Sequence, residues 1–364
     1  MRDPYSPNKA FLHCDRLGQY QNGGVPFPVQ VHFVISDLCN QNCSFCAYRV
    51  DGITEIFRTI EADGSVNKNP NRLMTTANAR RTLQELSMAG AKAIQFTGGG
   101  EPTMHKDCAD LMLYANDLGM DTALVTNGTN LSDELLNSIL RCTWVRISLD
   151  HSQADGYSKM RSTPHDMFDK VLKNITTIVK AKKESDSIVT IGIGFVVNKD
   201  NWSLIYEAAL LARHLGVDNF RISAAFTDEG IGYFKEFHDV AYTLSVRAES
   251  LSGNGFLVFN KYGERISDLE LKAPINKKCP YQYLCTYIGA DMNVYRCCVL
   301  AYTTRGLIGS LYDSSFSKLW RNNKRTKDLK TFDARKCARC QFNEKNDAIN
   351  SHIDGSDAEH GNFV

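Results

Sequence analysis

PVQVHFVIS (28–36), Asp37-Leu38, then Cys39-Asn-Gln-Asn-Cys43-Ser-Phe-Cys46: an apolar, β-branched run ends and a loop with three cysteines begins. The run reads as a buried strand. Three thiolates at C-x3-C-x2-C spacing on one short loop can bind three irons of a cubane iron–sulfur cluster. Four cysteines are the usual set, so the fourth iron is left without a protein ligand and can bind something else. The same residues also admit zinc. Zinc loops pair one C-x2–4-C with a second pair, and no second pair lies nearby in the sequence.

Outward from this loop, strands and helices alternate. AKAIQF (91–96), TALVT (122–126), WVRISL (144–149), SIVTIGIGFVV (187–197) and NFRIS (219–223) read as further strands. Helices are expected between them at 75–90, 105–118, 132–141, 166–182 and 202–216. The fourth of these puts Phe168, Val171, Leu172, Ile175 and Ile178 on one face. Six strands with crossovers this long pair in parallel. The fold expected is α/β: a partial (β/α)6 barrel over 28–230, then a small α+β domain. Residues 1–27 read as an irregular N-terminal extension and 50–74 as a long loop with two Asp-Gly pairs. Residues 231–260 read as a connecting helix and strand, 261–342 as the second domain, and 343–364 as a polar, frayed tail. A hairpin is expected over 287–297 and a basic amphipathic helix over 315–330.

Composition narrows the class. The chain has 364 residues, with 42 Lys+Arg against 41 Asp+Glu, 43% hydrophobic and 23% charged. This neutral balance argues against bulk electrostatic binding to nucleic acid or an anionic membrane. No apolar run reaches the ~18 residues of a membrane span, and MRDPYSPNKAF lacks the order of an export signal. A cytosolic protein is expected. There, 12 cysteines point to metal or catalysis rather than disulfides.

Three further strand ends carry chemistry-bearing residues. Thr97-Gly98-Gly99-Gly100-Glu101-Pro102 follows the second strand, Asn127 the third, and Ser148 with Asp150 the fourth; Arg161 lies beyond. Ligands in α/β folds bind at the carboxyl ends of strands, so these positions converge on one cleft. The ordinary readings are a tight turn for the glycines, helix caps for Ser148 and Asp150, and a surface charge for Arg161.

Together with the three cysteines and Phe45, these residues resemble the radical S-adenosylmethionine (SAM) superfamily. The resemblance implies a [4Fe–4S] cluster on Cys39, Cys43 and Cys46. SAM would be held by Gly98, Gly99, Gly100, Glu101, Asn127, Ser148, Asp150 and Arg161, near Phe45. It also implies one-electron cleavage of SAM to a 5′-deoxyadenosyl radical that abstracts hydrogen from a substrate.

A second set follows: Cys279, Cys285, Cys297, Cys298 and the C-x2-C of Cys337 and Cys340. It resembles the SPASM/twitch extension, which implies an auxiliary [4Fe–4S] cluster on Cys279, Cys297, Cys337 and Cys340. A four-cysteine zinc site remains open on spacing alone. The related hairpin usually has Gly where Met292 stands. Cys285 and Cys298 are left over as hydrogen-donor candidates, alternative ligands or buried small hydrophobes. Cys14, Cys108 and Cys142 get the last reading. His105 reads as a helix-start residue and Arg321–Lys330 as a solvated helix face.

The reading is an oxidoreductase, epimerase or isomerase acting on a small polar molecule (a sugar, aminocyclitol or nucleotide). A one-electron reductant such as flavodoxin or ferredoxin is implied. The substrate lining expected is the 50–74 loop, Asn198, Arg221 and the C-terminal domain. The alternatives are a peptide-modifying maturase and a non-catalytic metal-binding module.

Overall fold

The computed structural model describes residues 4–49, 54–57, 59–60, 66–67, 70–271 and 273–354. The two Asp-Gly pairs of the 50–74 loop and the last ten residues of the expected tail lie outside them. The strands are β1 (Gln30–Phe33), β2 (Ala93–Phe96), β3 (Asp121–Thr126), β4 (Trp144–Ser148), β5 (Thr190–Val197), β6 (Asn219–Ala224), β7 (Leu257–Lys261), β8 (Cys285–Ile288), β9 (Asn293–Tyr295) and β10 (Leu307–Ser310). They form one open sheet in the order β10-β9-β8-β1-β2-β3-β4-β5-β6-β7. Pairing is parallel from β8 through β1 to β7, and antiparallel among β8, β9 and β10.

The six expected strands form the middle of this sheet. The sheet also runs through the domain change expected at 230–260: Leu257–Lys261, read as part of a connection, pairs in parallel with β6. The expected hairpin is likewise joined to the barrel, because Cys285–Ile288 pairs with β1. A period-2 pattern explains how the sheet makes both a core and a cleft. Val31, Phe33, Ile94, Phe96, Val145 and Ile147 are buried in the main core. The alternate residues Gln30, His32, Gln95, Arg146 and Ser148 are only partly buried. These polar residues occupy the other face, where Gln30 bonds Gln95 at 3.2 Å.

The helices are α1 (Cys14–Gln21), α2 (Thr76–Met88), α3 (Cys108–Asp117), α4 (Asp133–Leu140), α5 (Ala154–Arg161), α6 (Met167–Lys183), α7 (Ile205–His214), α8 (His238–Glu249), α9 (Tyr262–Glu270), α10 (Tyr281–Leu284), α11 (Phe316–Trp320), α12 (Asn323–Thr331) and α13 (Asn343–Asp354). Side-chain caps start α2 and α4: Thr75 accepts from the Asn78 N–H and Ser132 from the Leu135 N–H. No helix among the described residues is long and apolar enough to cross a membrane.

Several expectations need correction. Residues 7–21 form a 3-10 turn and α1 rather than an irregular extension. The expected frayed tail begins as α13. These two ends hold each other: Leu17 and Ile349 pack with Val29 and Leu284, and Asn346 accepts from the Tyr281 N–H at 3.0 Å. The expected 315–330 helix is broken after Trp320, and Asn322 caps the second half. Trp320 is buried and donates from Nε1 to the Pro26 carbonyl at 2.8 Å. Arg325, expected on a solvated face, is buried against the Trp320 ring and paired with Asp328. The 202–216 helix starts as a 3-10 turn at Trp202–Leu204, and the helix after 233 begins only at His238. Cys14 is exposed, whereas Cys108 and Cys142 are buried as expected. His105 is buried ahead of α3, its Nε2 2.7 Å from the Met74 carbonyl.

Met292 closes the β8–β9 turn with φ 60°, its N–H bonded to the Gly289 carbonyl at 2.9 Å. That conformation favours glycine. Met292 holds it while fully buried in the main core. Met292→Gly would relieve about 1–2 kcal/mol of backbone strain and lose a core methionine, about 2–5 kcal/mol for truncation to alanine. Net destabilisation of about 1–3 kcal/mol is expected in denaturant unfolding; a more stable variant would contradict this packing.

His32 gives a pH handle. Burial, then Arg146 and Lys345 nearby, lower its pKa to about 4. Above about pH 6.5 it is neutral folded and unfolded. As pH falls through 6.5 toward 4, only the unfolded chain takes up the proton, so stability drops. His32→Gln should flatten the fall in stability between pH 6.5 and 4 by about 2 kcal/mol or less. Parallel pH profiles for variant and wild type would refute this.

Candidate functional site

A cavity of about 340 Å³ lies at the carboxyl ends of β1–β6. Cys39, Cys43 and Cys46 line it from the loop after β1. Phe45, Gly98, Gly99, Gly100, Glu101, Asn127, Ser148, Asp150 and Arg161 line it too. Every residue expected at the first cluster and its ligand therefore faces one space. Burial raises the Cys39 thiol pKa and pushes that of Cys43 up to about 11. These thiols stay protonated until a metal displaces the proton.

The glycines are required by the cysteine loop itself. Glu101 N–H donates to the Leu38 carbonyl at 2.9 Å and Gly100 N–H to the Ser36 carbonyl at 3.2 Å. A Cβ on Gly100 would stand 2.3 Å from the Leu38 carbonyl oxygen, and one on Gly99 2.4 Å from the Phe57 ring. The turn after β2 thus lies directly against the backbone entering the loop. Glu101 is buried and accepts from Thr103 N and Oγ1, from Thr126 Oγ1 at 2.6 Å and from Asn127 N at 2.7 Å. Asn127 also donates to Asn40 at 2.8 Å, tying the third strand end to the loop.

Arg161 is buried and not on the surface. It donates to Gln41 Oε1 at 2.6 Å, to the Ser148 carbonyl at 2.9 Å and to Asp150. Its Nε is buried without a hydrogen-bond partner. Burial works against its charge, yet Cys43 and Asp150 beside it raise its pKa. The end of α5 also receives the loop, with Asn42 N–H on the Arg161 carbonyl and Ser44 N–H on the Met160 carbonyl, both 3.0 Å. Neither Ser148 nor Asp150 caps a helix, because α5 starts at Ala154 behind Gln153. Asp150 holds φ 49° and accepts from Val196 N at 2.6 Å.

In the second set, Cys297 lies near Cys298 first, then Cys279 and Cys340, and Cys337 lies near Cys279 and Cys340. Burial raises all four thiol pKa values, Cys279 to about 11 and Cys340 to about 12. Phe342 N–H donates to Cys340 Sγ. Among the described residues no three His, Cys, Asp or Glu side chains converge on a single-ion position. Cys285 and Cys298 are not among the described lining residues of the cavity. Cys298 reaches it through Gln341, which lines it and donates to Cys298 Sγ at 2.9 Å. Of the expected substrate lining, Arg221 faces the cavity, whereas Asn198 is buried, its Nδ2 on the Val196 carbonyl at 3.2 Å.

Sequence reasoning missed the scaffold of the loop. Asp37 is paired with Arg72 at 2.8 Å and accepts from Tyr302 Oη at 2.5 Å. Burial raises the Asp37 pKa to about 6, against Arg72. A charged residue between an apolar strand and the cysteines was the available signal. Arg265 and Gln341, both lining the cavity, carried none, since only the fold brings them there.

Comparison with known proteins agrees with this geometry. The family model described as the radical SAM superfamily matches residues 33–209. The model of an iron-sulfur cluster-binding domain, SPASM, matches 279–341. An AdoMet-dependent heme synthase of Methanosarcina barkeri is 27% identical over 187 residues, 50% of this chain and 47% of that protein. An S-adenosylmethionine-dependent nucleotide dehydratase of Flammeovirga pacifica is 32% identical over 121 residues, 33% and 38%. The chain thus spans less than half the length of these two relatives. Streptococcus suis SuiB bound to its precursor peptide SuiA superposes with a TM-score of 0.62 over 91% of this chain and 74% of that one. At 14% identity that likeness speaks for the fold alone.

Gly100→Ala should displace the cysteine loop, because the added Cβ meets backbone that cannot rotate away. Iron and acid-labile sulfide on anaerobically reconstituted protein should fall from about eight irons to about four. Gly18→Ala, with nothing within 4 Å, should keep all of them. Full iron content in Gly100→Ala would overturn this role for the glycine.

Proposed function

Since residues 33–209 belong to the radical SAM superfamily and residues 279–341 are an iron-sulfur cluster-binding domain, we propose that the chain is an enzyme that reductively cleaves SAM and abstracts hydrogen from a small polar substrate. The observation that carries this reading is a single cavity. The three thiols of one loop, the Gly98–Glu101 turn, Ser148 and Arg161 all face it. A structural metal site has no need of a cleft beside its cysteines.

Cys39, Cys43 and Cys46 would hold the first cluster. Three thiolates from this loop would leave one iron without a protein ligand. When bound, cluster and SAM supply one-electron cleavage of the sulfonium and a carbon radical that takes a hydrogen atom from the substrate. The chain's own residues position and enclose this chemistry. The Gly98–Gly99 backbone and Glu101 would flank the methionine amino group. Arg161, with an open Nε, and Ser148 would flank its carboxylate. Arg161 also faces Cys43, so its charge offsets the thiolate. Phe45 and Ala47 add apolar surface to the cavity lining. Cys279, Cys297, Cys337 and Cys340 would hold the auxiliary cluster, for substrate binding or electron transfer. A flavodoxin- or ferredoxin-type protein would deliver the electron.

Reconstituted protein mixed with SAM and dithionite should form 5′-deoxyadenosine. The Cys39→Ala/Cys43→Ala/Cys46→Ala variant should form none and retain about four irons. Wild-type protein with both sites full of iron that leaves SAM intact would end the enzyme reading.

A further inference from the structure

The cavity wall away from the cysteines is basic. Arg221 on β6 and Arg265 on α9 both line it. Arg146 on β4 stands nearby, over Gly194 of β5, where a Cβ would meet its Cδ at 3.3 Å. Gly194 is also the register partner of Arg221. The Arg146 stem thus lies over Gly194, on the strand position paired with Arg221.

The charges in this cavity can be matched to partners one by one. Arg161 has Asp150 and Cys43. Arg49 donates to the Gln41 carbonyl and to Asn42 Oδ1. Arg265 donates to Gln341 at 2.7 Å, reaches Asp268 at 3.7 Å and feels Cys298 and Cys340. Its Nη1 still has no hydrogen bond. Arg221 has no carboxylate or thiolate partner among the described residues. Of the groups around it, Arg146 acts most strongly and repels it, the Tyr5 phenol favours its charge, Arg265 repels it, and Glu264 is the weakest influence. Glu264 is itself half exposed and bonded to Lys261. The Tyr5 ring at 4.9 Å offers a cation–π contact, worth ~0.5–2 kcal/mol. That is small against several kcal/mol for burying an ion. Arg221 Nε is buried without a hydrogen bond. Burial, then Arg146, bring its pKa down to about 10.

We propose that Arg221, with Arg265 beside it, receives an anionic oxygen group of the substrate, a carboxylate or a phosphate. An arginine fork binds such groups through two parallel N–H···O bonds. Arg221 and Arg265 line the same cavity as the thiols, and each keeps one buried donor, Nε and Nη1, without a hydrogen bond. The inference rests on this cavity being the substrate site. It narrows the small polar substrate to an anionic one.

The test uses protein carrying both clusters and SAM. Pyrophosphate serves as the phosphate probe and malonate as the carboxylate probe, titrated by calorimetry, with SAM affinity measured by equilibrium dialysis. Wild type should bind one probe more tightly than the other, which identifies the group. Arg221→Gln should weaken that binding at least tenfold and leave SAM affinity within about twofold. Arg221→Lys should weaken it less than Arg221→Gln, and Arg265→Gln at least threefold. Arg141→Gln, on the surface beside Asp117, should change nothing. If Arg221→Gln does not fold, Arg265→Gln and Arg221→Lys decide. Binding of neither probe to wild type overturns the proposal. So does weakened SAM binding with unchanged probe binding in Arg221→Gln, which would hand Arg221 to the SAM carboxylate. Absence of SAM cleavage in wild type would instead strike the enzyme reading, leaving the anion titration to be judged separately.

Discussion

Two stretches of backbone, 37–38 and 98–101, lie against each other with no room for a side chain between them. A Cβ on Gly100 would sit 2.3–2.5 Å from atoms of Asp37 and Leu38, closer than any tolerated contact. This approach fixes where the cysteine loop leaves β1 relative to the turn leaving β2. Everything in the cavity is placed from there. Glu101 is held by Thr126 and the Asn127 N–H, and Asn127 by Asn40. The third strand end is thereby hooked to the loop, and Arg161 with Gln41 hooks the fourth. A loop that would otherwise be free to wander is bonded to three successive strand ends, so its thiols are pre-positioned.

Electrostatics in the cavity follow from burial. Each thiol that burial keeps neutral must lose a proton to bind iron, and the resulting negative charge needs compensation in a low-dielectric space. Arg161 stands beside Cys43 and Arg265 feels Cys298 and Cys340. Arginines stand beside both cysteine sets, Arg49 and Arg161 at the first and Arg265, Arg296 and Arg305 at the second, whereas Arg221 has no thiol among the groups acting on it. Arg221 exceeds that requirement, which is why it carries information about what else enters.

Legibility in the sequence tracked how local the cause was. The six central strands could be read because each is an apolar, β-branched run, though only β1, β2 and β4 alternate strictly in burial. The cysteine loop could be read because its three cysteines lie within eight residues. The glycine turn was found, though the approach to Asp37 and Leu38 behind it was not. That contact joins residues about sixty apart. Polar segments with a single anchor were misread. Leu17 is the one buried side chain of α1, and in α13 Ile349 is buried beside the polar Asn343, Asn346 and Asn350, so tertiary packing and not apolar pattern makes these helices. Arg325 was misplaced for the converse reason, since a basic run hides the one arginine that turns inward against Trp320.

The C-terminal domain is more than an appendage holding a second cluster. Its first strand is hydrogen-bonded to β1, and the Val34 N–H continues that ladder onto the Ile288 carbonyl. Farther along, Tyr302 donates to Asp37, two residues before Cys39, and its carbonyl accepts from Glu55 and Ile56. Tyr48, two residues after Cys46, accepts from Tyr287 of β8. Both ends of the first cysteine loop are therefore braced by side chains from beyond residue 284. Phe57, Tyr287 and Tyr302 are buried together, and the partly buried Tyr48 and Cys298 pack against them. Rigid aromatic packing of this kind transmits a displacement instead of absorbing it. The two cysteine sets are parts of one mechanical unit, in which the geometry of the first depends on the folding of the second.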